Sequence, residues 1–259
     1  MRLRRRTRGS GTADDQAAAS VGRRALVYLG MGRVERLCAH AMAQALERSP
    51  CHLRIDFIGP GAGAPLTEAG LRQADLYVQP GGQEVEPAYR RLHAYRDVVR
   101  DYVTDGGRFL GVCLGGYLAG STPGFGLLPG DAERYIELPG ASVRHDGEAV
   151  IPLFWRGEYR EVYFQDGPHF VLDEQHDGMV LARYSNGAIA AAVHPFGQGT
   201  VGVVGPHPEA PLDWLEGLCD DPADAVNVDL TWDIVATLLQ DPFRNRLPEA
   251  GAVESRVGQ

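Results

Sequence analysis

The segment Arg108-Phe-Leu-Gly-Val-Cys-Leu-Gly-Gly-Tyr-Leu-Ala-Gly120 leaves this chain few ways to fold. An apolar run reaches Cys113 and passes at once into small residues that can turn helical. That order predicts a buried strand, a tight turn and a helix, with the cysteine pushed out of the sheet at the turn. Gly111 and Gly115 flank the cysteine and keep side chains out of the place where strand and helix backbones meet. A helix beginning at Leu114 points its amides and positive dipole end at the sulfur, which favours thiolate over thiol. A structural cysteine buried at a strand end would share this local pattern, so the rest of the chain has to decide.

Downstream, Gly205-Pro-His-Pro-Glu-Ala210 follows the strand-like Thr200-Val-Gly-Val-Val204. A cysteine nucleophile needs a base that takes its proton and later protonates the leaving group. An acid that fixes the imidazole tautomer and stabilises the imidazolium adds to this. His207 and Glu209 are two residues apart, a spacing that places both on one face of an extended segment. Pro206 and Pro208 disfavour a helical path and support the extended reading. His194-Pro195, without such an acid, reads as an ordinary loop feature. Cys113, His207 and Glu209 are therefore the expected catalytic triad.

Strands and helices alternate through the first half. Arg24–Gly30 is a short apolar run ending in glycine, and Gly32–Arg48 carries Val34, Leu37, Cys38, Met42 and Leu46 at helical spacing. Leu53–Ile58 and Leu76–Val78 are further strands, the latter running into Pro80-Gly81-Gly82. One helix is expected from Pro87 through Leu92, Tyr95, Val99 and Tyr102, closed by Gly106-Gly107. Phe109–Val112 then delivers Cys113. Units of this kind predict right-handed crossovers around a mostly parallel sheet. The second half reads as short strands: Tyr135–Leu138, Ala149–Trp155, Arg160–Phe164, Phe170–Leu172, Met179–Tyr184, Ala188–Val193 and Thr200–Val204. Phe196-Gly-Gln-Gly199 turns the last pair. Helices are expected over Leu212–Leu218 and Leu230–Leu239.

The chain has 259 residues, 44% hydrophobic and 23% charged, which suits one α/β domain over residues 23–245. Residues 1–22 read as a disordered basic tail and 246–259 as a loose C-terminal tail. The N-terminal arginines lead into Gly-Ser-Gly-Thr-Ala-Asp-Asp rather than an apolar stretch, so export is not expected. A net charge of −9 argues against nucleic acid as partner. No apolar run reaches the length of a membrane span. The sequence contains no lysine, which excludes Schiff-base chemistry. Cys38, Cys51, Cys113 and Cys219 are scattered and fit a reducing cytoplasm. Cys38 and Cys51 read as packing residues. The histidines show no ligand spacing, and no metal or cofactor is expected.

With these segments in hand, the chain resembles the class I glutamine amidotransferase-like superfamily. Within it, the chain is most similar to the domain at the N-terminus of eukaryotic-type biotin-protein ligases, in a free-standing form. The resemblance runs from about Leu26 to Ala210. It rests on Leu76-Tyr-Val-Gln-Pro-Gly-Gly82, Gly106–Tyr117, Val162-Tyr-Phe-Gln-Asp-Gly-Pro-His-Phe170, Val180–Tyr184 and Gly197–Glu209. It implies a flavodoxin-like three-layer sandwich with a mostly parallel central sheet and additional antiparallel strands in the second half. It also implies Cys113 as nucleophile, His207 as general base and Glu209 as orienting acid. The amides of Leu114 and of Gly81 or Gly82 would form the oxyanion hole. A Gly-Gly turn after a strand leaves amides unobstructed, as a developing oxyanion requires. The length leaves no room for a ligase catalytic domain.

The similar ligase domains carry Gly-Gly where this chain has Asp166-Gly167. Asp166 would bind a substrate amine, replace a loop contact or face solvent, and solvent is the expectation. Gln83, Tyr117 and His169 are the other candidates for lining the pocket. The implied activity is a thiol amidase acting on a glutamine or γ-glutamyl-type carboxamide through an acyl-thioester. A small-molecule amide is the implied substrate, and a separate acceptor enzyme or synthetase would use any ammonia released. The alternative is a non-catalytic binding or regulatory module on the same scaffold.

Overall fold

A computed structural model describes residues 22–121 and 123–243 of the chain. The basic tail expected over 1–22 (Gly22 apart) and the C-terminal tail over 246–259 lie outside the described residues.

Five short strands form the parallel part of the sheet: β1 (Arg24–Tyr28), β2 (Arg54–Ile58), β3 (Leu76–Gln79), β4 (Arg108–Val112) and β11 (Gly199–Val204). They lie in the order β2-β1-β3-β4-β11. Side chains of successive residues leave opposite faces of a strand, and that alternation sorts the core into two layers. Ala25, Val27, Leu76, Val78, Leu110 and Val112 pack with Met42 and Leu46 of α1 (Arg33–Glu47) and with Ile234 and Leu238 of α7 (Val228–Gln240). Leu26, Tyr77, Phe109, Val201 and Val203 face the other way. They meet Leu92 of α3 (Val85–Leu92), Val99 and Val103 of α4 (Arg96–Thr104) and Leu118 of α5 (Leu114–Ala119). The result is a helix–sheet–helix sandwich of the flavodoxin-like kind. Trp232 Nε1 donates to Ala45 O at 2.8 Å and ties α7 to α1.

The sheet continues antiparallel beyond β11 through β10 (Ile189–Phe196), β9 (Met179–Tyr184), β6 (Ala149–Trp155) and β7 (Glu158–Phe164). The β10–β11 hairpin turns at Gly197, with φ of 60°. The β6–β7 hairpin turns at Arg156-Gly157, both at positive φ, which matches the right-handed twist of the paired strands. A short ladder of β5 (Gly130–Arg134) and β8 (Pro168–Leu172) joins through a β8–β10 contact. Two four-residue helices, α2 (Glu68–Leu71) and α6 (Leu212–Leu215), complete the described elements.

Four local expectations change. The helix predicted from Pro87 to Tyr102 is two helices, α3 and α4, joined by a 3₁₀ turn at His93–Tyr95. Pro87 lies in the first turn of α3, where its missing N–H costs no hydrogen bond. Tyr135–Leu138 is a 3₁₀ turn rather than a strand, because β5 immediately before it supplies the pairing to β8. The predicted helix over Leu212–Leu218 stops at Leu215, and Gly217 is at a φ of 83°. His194 lies buried inside β10, not in a loop.

The join of β4 to α5 is the tightest point of the fold. A Cβ on Gly115 would lie 1.8 Å from the Gln79 carbonyl oxygen, and one on Gly111 would lie 2.2 Å from the Gly115 oxygen. Both neighbours are backbone and cannot swing aside. Gly115→Ala is therefore expected to destabilise the protein by about 1–3 kcal/mol through overpacking. A lowered urea midpoint at unchanged slope would report it, and an unchanged midpoint would contradict the packing described.

Candidate active site

Cys113 stands at the end of β4 with φ 50° and ψ −108°. A non-glycine residue at positive φ is strained, and such strain persists only where the surroundings fix it. Here the Cys113 amide donates to Val204 O at 2.9 Å, and the Tyr117 amide donates back to Cys113 O at 3.0 Å. Sheet and helix thus each hold one side of the residue. The helix that follows has only six residues, so its contribution lies more in its first amides than in an extended dipole.

Gly205–Ala210 leaves the end of the neighbouring strand β11. The expected extended path for His207 and Glu209 is replaced by a turn, closed by Ala210 N donating to His207 O at 3.1 Å. The His207 amide donates to Tyr163 O at 2.9 Å, so β7 fixes the turn against β11. The two side chains still meet: His207 Nδ1 lies 2.9 Å from Glu209 Oε1, and both groups are buried. Burial opposes a charged imidazole. The adjacent Cys113 sulfur and Glu209 carboxylate outweigh it and raise the His207 pKa to about 10. Tyr163 and Trp214 pack edge-on against the ring, with centroids 5.7 and 5.8 Å away.

The loop after β3 closes the opposite side. A Cβ on Gly81 would lie 2.5 Å from His207 Cε1, and one on Gly82 would lie 2.4 Å from Leu114 Cδ2. Only glycine lets this loop approach the histidine and the elbow so closely. Among the described residues, the amides of Gly81, Gly82 and Leu114 donate to no protein acceptor. Three unspent donors therefore lie beside a thiol and an imidazole–carboxylate pair. This set can accept a thiol proton, hold a charged oxygen and return the proton to a leaving group.

The remaining sequence candidates divide. Tyr117 is at the site: its hydroxyl donates to Asp166 O at 3.1 Å. Asp166 does not face solvent unpaired. Its carboxylate takes Arg134 Nε at 3.1 Å and Nη2 at 2.6 Å in a forked pairing. Its φ of 47° accounts for glycine being the easier residue there. Gln83 is exposed. His169 is paired in register with Glu133, 3.6 Å away, while its strand neighbours Pro168 and Phe170 pack on Gly116 of α5. Alternation thus turns His169 away from Cys113. Burial lowers its pKa, which the Glu133 charge opposes.

Cys38 is more than a packing residue. Its sulfur would lie 3.1 Å from the same Gly81 Cβ position that His207 approaches. Burial, with the charges of Glu209 and Cys113 after it, pushes its pKa far up, so it stays a neutral thiol. Glu209 Oε2 has no hydrogen-bond partner among the described residues. Sequence reading also passed over Gln165, whose carbonyl oxygen lies 3.6 Å from Cys113 Sγ, and Arg134. Periodicity carries no signal for a backbone carbonyl, and Arg134 ends a strand that composition did not reveal. No cluster of three or more metal-ligating side chains occurs among the described residues, and none of their helices is long and apolar enough to cross a membrane.

Residues 24–132 match the family model described as "Biotin-protein ligase, N terminal". The imidazole glycerol phosphate synthase subunit HisH of Synechococcus sp. (strain JA-3-3Ab) is 27% identical over 187 residues, 66% of this chain and 81% of that protein. The HisH subunit of Gloeothece citriformis is 34% identical over 129 residues, 43% of this chain and 58% of its own length. Among solved structures, a glutamine amidotransferase from Thermotoga maritima superposes with a TM-score of 0.57 at 16% identity, covering 85% of this chain and all of that one (100%). Another glutamine amidotransferase gives a TM-score of 0.54 at 20% identity, over 83% of this chain and 98% of that one. These two likenesses bear on the fold alone. With the sequence relatives added, the matches support a likeness to the class I glutamine amidotransferase-like superfamily.

Proposed function

We propose that this protein is a cysteine-dependent amidase acting on a glutamine or γ-glutamyl-type carboxamide. The observation that carries the reading is the buried His207–Glu209 pair, set between Cys113 and the unspent amides of Gly81, Gly82 and Leu114. The HisH relatives, subunits of a synthase by name, support an amide-hydrolysing half-reaction whose ammonia a separate partner enzyme consumes.

The steps follow from the residues. The Cys113 thiol gives its proton to His207, and the sulfur attacks the amide carbon. The carbonyl electron pair moves to oxygen, which the Leu114 amide and a glycine amide of the Gly81-Gly82 loop receive. Removing one such donor typically costs about 10²–10³-fold in rate. His207 then protonates the nitrogen, the C–N bond breaks, and ammonia or an amine leaves a thioester on Cys113. Neutral His207 next takes a proton from water, whose oxygen attacks the thioester and releases the acid and the sulfur. Glu209 holds the imidazole through Nδ1 and stabilises its charged form throughout.

The rival reading, a binding module without turnover, makes no use of an activated sulfur. Iodoacetamide at neutral pH is expected to label Cys113 faster than Cys38 or Cys219. Cys38 is a buried neutral thiol. The Cys219 thiol is pushed up by residual burial and by Glu161, Asp220, Asp221 and Asp224. Equal labelling of the three by peptide mass mapping would favour the binding module.

Substitution gives a second check. Cys113→Ala should abolish glutamine hydrolysis with the fold retained, and His207→Ala should cost about 10²–10⁴-fold. Glu209→Gln should cost less. It also removes a charge that favours imidazolium, so the His207 pKa falls and the alkaline limb of kcat/KM moves to lower pH. An alkaline limb that stays in place in Glu209→Gln would dismiss Glu209 as the stabiliser of His207.

A further inference from the structure

The turn Gln165-Asp166-Gly167 after β7 is held from several sides where the triad chemistry needs nothing from it. Arg134, the last residue of β5, forks onto the Asp166 carboxylate at 3.1 and 2.6 Å. Tyr117 of α5 donates to the Asp166 carbonyl at 3.1 Å. Tyr163 donates to Gln165 Oε1 at 3.5 Å. On the far side, Tyr135 N donates to Gly167 O at 3.4 Å and the Tyr184 hydroxyl to Pro168 O at 2.6 Å. Asp166 itself is at positive φ, a strain these contacts offset. Toward the site the turn presents the backbone Gln165 O, which accepts from the Cys113 thiol with the sulfur 3.6 Å away.

A carbonyl oxygen is a poor neighbour for a thiolate and a good one for an N–H. Its placement indicates which N–H. The Gly81-Gly82 loop follows β3 and His207 follows β11, the two neighbours of β4, while the Gln165 turn follows β7, beyond β11 in the sheet order. A carbonyl carbon attacked by Cys113 with its oxygen toward Gly81-Gly82 directs its nitrogen toward His207 and Gln165. An oxygen already touching the sulfur is within hydrogen-bond reach of that nitrogen. We infer that Gln165 O accepts an N–H of the scissile amide, and that Arg134, Asp166 and Tyr117 are positioning residues that hold it there. The inference rests on the amidase reading for its substrate and names a determinant that favours amides over esters at that site.

Three variants test it: Arg134→Gln, Asp166→Gly and Tyr117→Phe. Glycine tolerates the backbone at 166, and the other two keep size. They change local charge in opposite senses or not at all. If the network acts by position, all three lower kcat for L-glutamine by about tenfold to a hundredfold. They should lower it markedly less for glutamate γ-methyl ester, which has no scissile N–H. All three should also raise the neutral-pH iodoacetamide rate of Cys113, as the carbonyl no longer faces the sulfur. Opposite effects of Arg134→Gln and Asp166→Gly would mean a charge effect and overturn the inference. Equal losses on amide and ester, or alkylation unchanged in all three, would also overturn it. A wild type that cleaves neither compound sinks the amidase reading instead. The alkylation rates then still decide whether the network holds the carbonyl on Cys113.

Discussion

The contact on which the site depends is backbone against backbone. Gly115 lies so close to the Gln79 carbonyl, and Gly111 so close to Gly115, that β3, β4 and α5 meet with no side chain between them. That approach lets Cys113 turn out of the sheet at positive φ while its amide stays in the ladder with Val204. It also brings the β3 loop beside the sulfur, because Gln79 immediately precedes Pro80-Gly81-Gly82. One steric condition, two absent Cβ atoms, thus places both Cys113 and the amides of the Gly81-Gly82 loop.

The same economy of space governs the histidine. Gly81 has no Cβ where His207 Cε1 packs, and Tyr163 and Trp214 close the ring in from the other directions. A buried imidazole would ordinarily lose its proton, since a low-dielectric setting penalises charge. Glu209, itself buried, and the Cys113 sulfur reverse that preference. The pair is a costly arrangement for stability, because buried ions seldom recover their desolvation. It keeps a proton on the imidazole beside the Cys113 sulfur.

Where the sequence was explicit, it was explicit about short-range demands. The Gly111–Gly115 spacing foretold the elbow, and the alternation of apolar runs with helical segments foretold the parallel half of the sheet. Residues with no such demand were misplaced. Tyr135 reads as strand because it is apolar and aromatic, yet it stacks on Tyr184 with centroids 3.7 Å apart and caps a strand that composition hides. β5 itself, Gly-Asp-Ala-Glu-Arg, has no apolar alternation, because only its pairing to β8 makes it a strand. His207 and Glu209 were paired from their spacing, but the spacing suited a turn as well as an extended segment. Cys38 and Gln165 were missed for a further reason: both reach the site through tertiary packing, from a helix and a loop far from the elbow in the chain.

Two thiols, Cys38 and Cys113, lie near the His207–Glu209 pair. Cys38 and Cys113 both lie within electrostatic reach of Glu209 or His207, and both are buried. Distance to charge does not separate them; geometry of the partner does. At Cys38, burial and then the charges of Glu209 and Cys113 oppose ionisation. Cys113 adjoins His207 and, with Glu209, helps to hold the imidazole protonated. Glu209 therefore opposes ionisation of Cys38 and favours a charged His207. One buried carboxylate thus helps to keep the Cys38 thiol neutral and the His207 imidazole charged.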